Sequence, residues 1–412
     1  MKLGTPGFVP ARLTEAREVR GLTAASLAEK THVSRQSLSH YEKGRSTPSS
    51  KVLERIAEAV ELPVGYFTRP MESYTRGTIF YRSMSSATKT ARNRALRRLD
   101  WIKWIGRYVT EFVDIPKSDF PDLCLPNDPL QLSDRIIDDA AIGLRKHWGL
   151  RMDPISNVVL LLENKGAVVS RDKLGAQTLD SLSEVVREED RTYVLIGTDK
   201  GTPARWRFDA AHELGHIMLH ANVDPAFMAK SVNHSLIENQ AHRFAASFLL
   251  PLESFGDELF GVSLDAFLAL KPRWKTSIAM MIRRARDAGF LSPQAERGLW
   301  VNYARRGWRR GEPFDDVLEV EEPRLLRSSF DLLLSNGLQT SSDVVSALDL
   351  PNTDIEALGG LPPGFLSSFI RLNLKMLDSQ LRTLDTDVAL NQRPAPIVPL
   401  SRHRNKGSER RI

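Results

Sequence analysis

The chain has 412 residues, a formal charge of +6 and a pI of about 9.4, with 42% hydrophobic and 26% charged residues, ordinary values for a soluble globular protein of two or three domains. No apolar run approaches the ~18 residues of a membrane span, and the first residues lack the apolar run of a secretory signal. The lone cysteine, Cys124, can form neither an internal disulfide nor a cysteine-cluster metal site. A cytoplasmic location is expected, and the basic balance permits a nucleic-acid partner without requiring one.

Residues 8–66 read as short capped helices. "FVPARLTEAREVRG" has apolar residues at helical spacing and stops at Gly21. Thr23 is placed to cap "AASLAEKT", Ser34 to cap "RQSLSHYEKG" up to Gly44, and Ser49 or Ser50 to cap "KVLERIAEAVEL". Such short helices are marginal alone and must share a core, for which Ala28, Val33, Leu38, Leu53 and Ile56 are the candidates.

The stretch "LAEKTHVSRQSLSHYEKGRSTPSSKVLERIAEAVELPVGYF" resembles the lambda-repressor-like (XRE) helix-turn-helix family. The resemblance implies binding to double-stranded operator DNA, with the third helix in the major groove. It assigns Arg35, Gln36 and Ser39 to base edges, Ser34, His40 and Lys43 to phosphates, and an internal ion pair to Arg17 and Glu42. Arg and Gln are side chains that can read guanine and adenine edges in pairs of hydrogen bonds. Where the family often has a backbone-gripping Gln at the start of the second helix, this chain has Ala24, which predicts weaker phosphate anchoring.

Residues 67–130 read as a linker and connecting helix: a polar stretch over 66–90, then the basic run "ARNRALRRLDWIKWIGRYVTEF", then "DIPKSDFPDLCLPNDP". Leu96, Leu99, Ile102 and Ile105 mark an apolar side of that helix. Its arginines read as a solvated face, and the element as a linker helix or homodimer contact rather than a DNA contact.

Residues 131–290 alternate helical and strand-like signals around "FDAAHELGHIMLH". Helical residues four apart share a face, so His212 and His216 present two imidazoles to one point with Glu213 beside them. That is H-E-x-x-H: two zinc ligands and a carboxylate to take a proton from water. A third ligand is required from His220, His234, Glu238 or His242. His220 lies about 6 Å further along the same helix axis, so its loss is expected to leave metal binding intact. Ser235 is placed to cap the next helix, "SLIENQAHRFAASFLLP". Glu238, 22 residues beyond His216, suits a second helix folded back on the first, with His242 as a neighbouring group on the substrate side.

"RFDAAHELGHIMLH" followed by "IENQAHRFAASFLLP" resembles the ImmA/IrrE metallopeptidases, which pair H-E-x-x-H with a glutamate-led helix. By position Glu238 takes the glutamate place, while His242 stands where Asn or Asp is common. The resemblance implies a zinc endopeptidase with Glu213 as base. "IIDDAAIGLRKHWGL", "NVVLLLENKGAVV" and "RTYVLIGTDKGTPARWRF" resemble its leading helices and strands, and the strand at about 191–196 is a candidate edge for an extended peptide.

Residues 291–395 read as a helical accessory region and 396–412 as a disordered tail. The fold class expected is mainly α with an α+β peptidase core: a four- or five-helix DNA-binding head, a zincin-like domain with a small sheet, and C-terminal helices. Peptidases of this family cleave repressors that carry such heads. The combination implies a regulator that cleaves a repressor, or itself, to switch on stress or mobile-element genes. A non-proteolytic zinc- or ligand-sensing transcription factor and the antitoxin of a toxin–antitoxin pair are the alternatives.

Overall fold

A computed structural model describes residues 4–71, 79–81, 87–176, 179–228, 230–367 and 398–399. Four helices open the chain: α1 (Pro10–Val19), α2 (Ala24–Lys30), α3 (Arg35–Glu42) and α4 (Ser50–Ala59). The capping expected of Thr23 and Ser34 is present, with each hydroxyl accepting from the backbone N–H three residues on, both at 3.0 Å. Gly21 and Gly44 adopt φ of +65° and +66°, the left-handed conformation that ends a helix at little cost to glycine. Ser49 precedes α4 without a side-chain capping bond. Leu38, Leu53 and Ile56 are fully buried, Ala28 nearly so, and Val33 packs against them partly exposed.

Strand β1 (Ile79–Tyr81) leads to the long α5 (Lys89–Thr110) and β2 (Val113–Asp114). Then come α6 (Asp134–His147), α7 (Val158–Asn164), β3 (Ala167–Asp172), β4 (Ser181–Val186) and β5 (Arg191–Gly197). Helices α8 (Pro203–His220), α9 (Pro225–Met228), α10 (Ser231–Leu249), α11 (Leu252–Asp257), α12 (Leu264–Trp274), α13 (Ile278–Asp287) and α14 (Pro293–Arg305) follow. The described chain closes with α15 (Leu325–Ser335), α16 (Ser341–Leu348), α17 (Asn352–Leu358) and β6 (Val398–Pro399), which pairs with β2. The expected tail, 396–412, otherwise lies outside the described residues, as does the whole of 368–395.

The main sheet has the order β1-β4-β5-β3, with β3 parallel to β5 and the other pairs antiparallel. Side chains alternate across a strand. Val168, Leu182, Tyr193 and Leu195 face the core shared with α5, the head and α15–α17. Val169, Val194 and Ile196 face the core of α6–α8 and α10–α14. The sheet is thus the middle layer between two helical layers, and both of its faces are apolar for that reason. Since β5 is flanked by β3 and β4, both its edges are paired, and the expected docking of a peptide along it does not hold.

The basic helix α5 differs most from its sequence reading. Trp101, Ile102 and Ile105 are fully buried, and the charges meet partners inside the chain rather than solvent. Lys103 Nζ lies 2.7 Å from Glu184 and 3.0 Å from Asp100. Arg97 reaches Glu18 of α1 at 2.8 Å. Arg98 contacts Asp172 at 2.5 Å and also Asp354, whose carboxylate is gripped by both arms of Arg20 from the head at 3.0 and 2.7 Å. Helix α5 is therefore a strut at the centre of the molecule, and the head is docked on it and on α17. A helix reads as solvated when its acidic partners are distant in sequence, which is why the pattern misled.

Candidate metal centre and DNA interface

Helices α8 and α10 cross at Gly215. A Cβ there would lie 3.0 Å from the Ala241 carbonyl oxygen and 3.1 Å from its Cα, so glycine is what allows this approach. Helix α10 begins at Ser231, a turn earlier than the expected cap at Ser235, which leaves Glu238 and His242 on successive inner turns facing α8.

Three expected residues converge. His212 Nε2 and His216 Nε2 are 3.0 Å apart. Glu238 offers Oε2 at 3.5 Å from His212 Nε2 and Oε1 at 3.3 Å from His216 Nε2. Ligands about 2.0–2.1 Å from a tetrahedral zinc stand about 3.3–3.4 Å from one another, so these spacings fit that ion. The chemistry of the donors fits too: lone pairs crowded this closely repel unless a cation or proton lies among them. Burial holds the His212 imidazole well below its ordinary pKa. Burial would raise Glu238, but its contacts with His212 and His216 outweigh that and keep it an anion.

His242 is the fourth member. Donor atoms of His212, Glu238 and His242 all lie within 4.8 Å of one another. His242 Nδ1 is spent on the Glu238 carbonyl at 2.5 Å, which leaves Nε2 as its available ligand atom. The tighter set is His212, His216 and Glu238, with His242 across the opening; the His212 and His242 ring centroids are 4.5 Å apart.

Glu213 is fully buried next to His212 on α8 and meets strand β4. Its two oxygens accept from Ser181 Oγ and Ser183 Oγ of β4, both at 2.6 Å. Burial raises its pKa, against the opposing effect of His216 and the two hydroxyls. Ser181 and Ser183 carried no motif. Their alternation on a strand before the H-E-x-x-H helix is the only signal that could have marked them.

Gln240 was also missed, and with it the contact that His220 makes behind His216. The Gln240 amide donates to the carbonyls of Pro129 at 2.6 Å and Leu132 at 3.4 Å, so its oxygen faces His220 Nε2 at 3.0 Å. An amide oxygen only accepts, so His220 carries its proton on Nε2. Burial lowers the His220 pKa to about 3, so the ring is neutral and its Nδ1 is bare. That Nδ1 lies 3.1 Å from His216 Nδ1, which must donate to it. The His216 lone pair is then on Nε2, toward His212 and Glu238. His220 is not at the cluster, but it touches His216 from behind, a contact through which its loss would reach the metal centre. His234 is partly buried near the start of α10 and outside the cluster.

In the head, Ser34, Arg35 and Gln36 are exposed at the N-terminal end of α3 and Lys43 just past its end, while Ser39 and His40 are half-buried. Arg17 Nε meets Glu42 at 2.5 Å, the ion pair expected there. Docking uses Glu18 of α1 and Arg20 just past its end, and leaves the α3 surface open. Ala24 opens α2 with no side chain for a phosphate.

A helix-turn-helix head and a helix pair carrying H-E-x-x-H and a facing glutamate define a DNA-binding protein with a metallopeptidase-like domain. Comparison with protein families agrees: residues 13–67 match the model described as helix-turn-helix, and residues 162–286 match the IrrE N-terminal-like domain. The chain therefore joins an XRE-like helix-turn-helix to an ImmA/IrrE-type, peptidase-like domain. No curated protein matches it. No described helix is long and apolar enough to cross a membrane.

Proposed function

We propose that the chain is a DNA-binding transcriptional regulator with zinc-dependent endopeptidase activity, and that it cleaves a repressor, or its own chain, to derepress the genes that repressor controls. The observation that carries this reading is the convergence of His212, His216 and Glu238 at 3.0–3.5 Å in a domain of peptidase type. These three side chains would hold the zinc, which when bound supplies a Lewis acid with an open position.

The chain's own residues divide the remaining work. Glu213 takes a proton from the attacking water and returns it to the departing amine. Its burial and consequent raised pKa bring it nearer the operating pH, which suits a group that must both accept and release a proton. Ser181 and Ser183 fix its rotamer. His242 orients substrate at the open side. In the head, Arg35, Gln36 and Ser39 read bases while Ser34, His40 and Lys43 hold phosphates.

A non-proteolytic sensor is favoured by one observation: both Glu213 oxygens are already engaged by serines in a fully buried position. One experiment separates the readings. Zinc-loaded chain, wild type and Glu213→Ala, is incubated with repressors encoded nearby. Cleavage by wild type alone is expected. Absence of cleavage together with normal regulation by Glu213→Ala would establish the sensor.

A further inference from the structure

A cleft of about 990 Å³ opens beside the metal centre. Phe208 and His242 form its inner end, with ring centroids 5.6 Å apart, and Phe208 is also 6.2 Å from the His212 ring. Met280 and Arg283 of α13 form the far wall, together with Trp308, Arg309 and Arg310 after α14. The cleft thus leads away from the metal centre across a different part of the chain.

Its charge is one-sided. Six guanidinium groups line it: Arg205, Arg243, Arg283, Arg286, Arg309 and Arg310. Four carboxylates do so as well, but each is held by a cation. Asp134 pairs with Arg243 and Asp287 with Arg286, both at 2.7 Å. Glu312 and Asp315 share Lys271 at 2.8 and 2.6 Å, and Arg205 is paired with Asp180 at 2.9 Å. Arg283, Arg309 and Arg310 remain exposed, and among the described residues their guanidinium groups make no ion pair or side-chain hydrogen bond. Three such cations around one concavity repel each other and attract an anion, and concave walls of low dielectric strengthen that field. Phe208, Met280 and Trp308 supply apolar surface for side chains between the charges.

We propose that this cleft binds an acidic polypeptide segment, with carboxylate side chains on Arg283, Arg309 and Arg310 and the main chain passing His242. It is the substrate channel of the peptidase reading above and rests on that reading. It adds that acidic residues flank the bond to be cut.

The test uses full-length chain and two fluorescein-labelled peptides of one apolar centre, one flanked by Glu and Asp, the other by Lys. Anisotropy is read with zinc chelated and with zinc present, and cleavage of both peptides is followed in parallel. The acidic peptide should bind at least about tenfold more tightly, as expected of three partly desolvated charge pairs, and this preference should shrink with salt. The triple variants R283Q/R309Q/R310Q and R283E/R309E/R310E should remove and reverse it respectively, and exposed positions of this kind tolerate substitution without unfolding. Equal binding of the two peptides, or a preference that survives both variants, overturns the proposal. So does a single-stranded oligonucleotide that displaces the acidic peptide through the same arginines at lower concentration. Binding preference without cleavage keeps the acidic-segment site but overturns its role as a substrate channel, together with the peptidase reading. Equal cleavage of both peptides overturns the acidic-segment site and keeps the peptidase reading.

Discussion

Replacing Gln240 by leucine removes the oxygen that fixes the His220 proton and, through it, the His216 lone pair. The contacts at stake are 3.0 Å from Gln240 to His220 and 3.1 Å from His220 to His216. With the amide gone, His220 is free to carry its proton on Nδ1. The Nδ1 of His216 then faces a donor, and the tautomer with its lone pair on Nδ1 and a proton toward the metal gains weight. Partners behind a metal-ligating histidine are typically worth 10–100-fold in metal affinity, or about 1.4–2.7 kcal/mol. Gln240→Leu should therefore weaken zinc binding by that factor, and His220→Ala should do so comparably. Gln240→Glu keeps an acceptor for His220 and should lose less. The assay is competition against a chromophoric zinc chelator, with thermal melting of the metal-free proteins run alongside. Leaving the Pro129 carbonyl unpaired costs folding about 1–3 kcal/mol on its own, which the melts measure separately. Unchanged zinc affinity in folded Gln240→Leu and His220→Ala would refute the relay.

Gly215→Val should destabilise the protein by about 1–3 kcal/mol and weaken zinc binding, because the added carbons press on the Ala241 backbone; melting and chelator competition both read it. Asp354→Asn should loosen the head by about 1–3 kcal/mol, because Arg20 loses its two-armed charge partner and buried Arg98 is left with Asp172 alone, and hydrogen exchange in α1 against α8 should reveal it. Burial raises the Asp354 pKa, but the two arginines outweigh that and hold it below the usual range. Its contribution to docking is hence complete above the ordinary aspartate pKa of about 4, and is lost as pH falls through the depressed value. Gln36→Ala should relax specificity at about one base pair at a cost of about 1–3 kcal/mol, while Lys43→Ala should weaken all sequences and flatten the salt dependence in mobility shifts.

The helices of the head were legible because each carries its own punctuation: Thr23 and Ser34 before, Gly21 and Gly44 after. His212 and His216 were legible because their spacing is a local property of one helix, and Glu238 because a second helix of that composition follows at hairpin distance. What escaped was non-local. Nothing near Arg97 and Arg98 in sequence announces Glu18, Asp172 or Asp354 as partners, so α5 reads as a solvated linker. Strand order is likewise invisible to periodicity, and β5 was offered as an edge when β3 and β4 take both its sides. Gln240 was indistinguishable from any polar helix residue until Pro129 and His220 were brought against it.

The choice of metal ligands is tested most directly by zinc content per chain after dialysis, measured for His216→Ala and His242→Ala beside wild type. His212 and Glu238 are common to both ways of completing the centre, so these two variants decide between them. Wild type should retain one zinc, His242→Ala should also retain it, and His216→Ala should lose it. Retention by His216→Ala with loss from His242→Ala would contradict the H-E-x-x-H centre and place the metal between α10 and His212 alone.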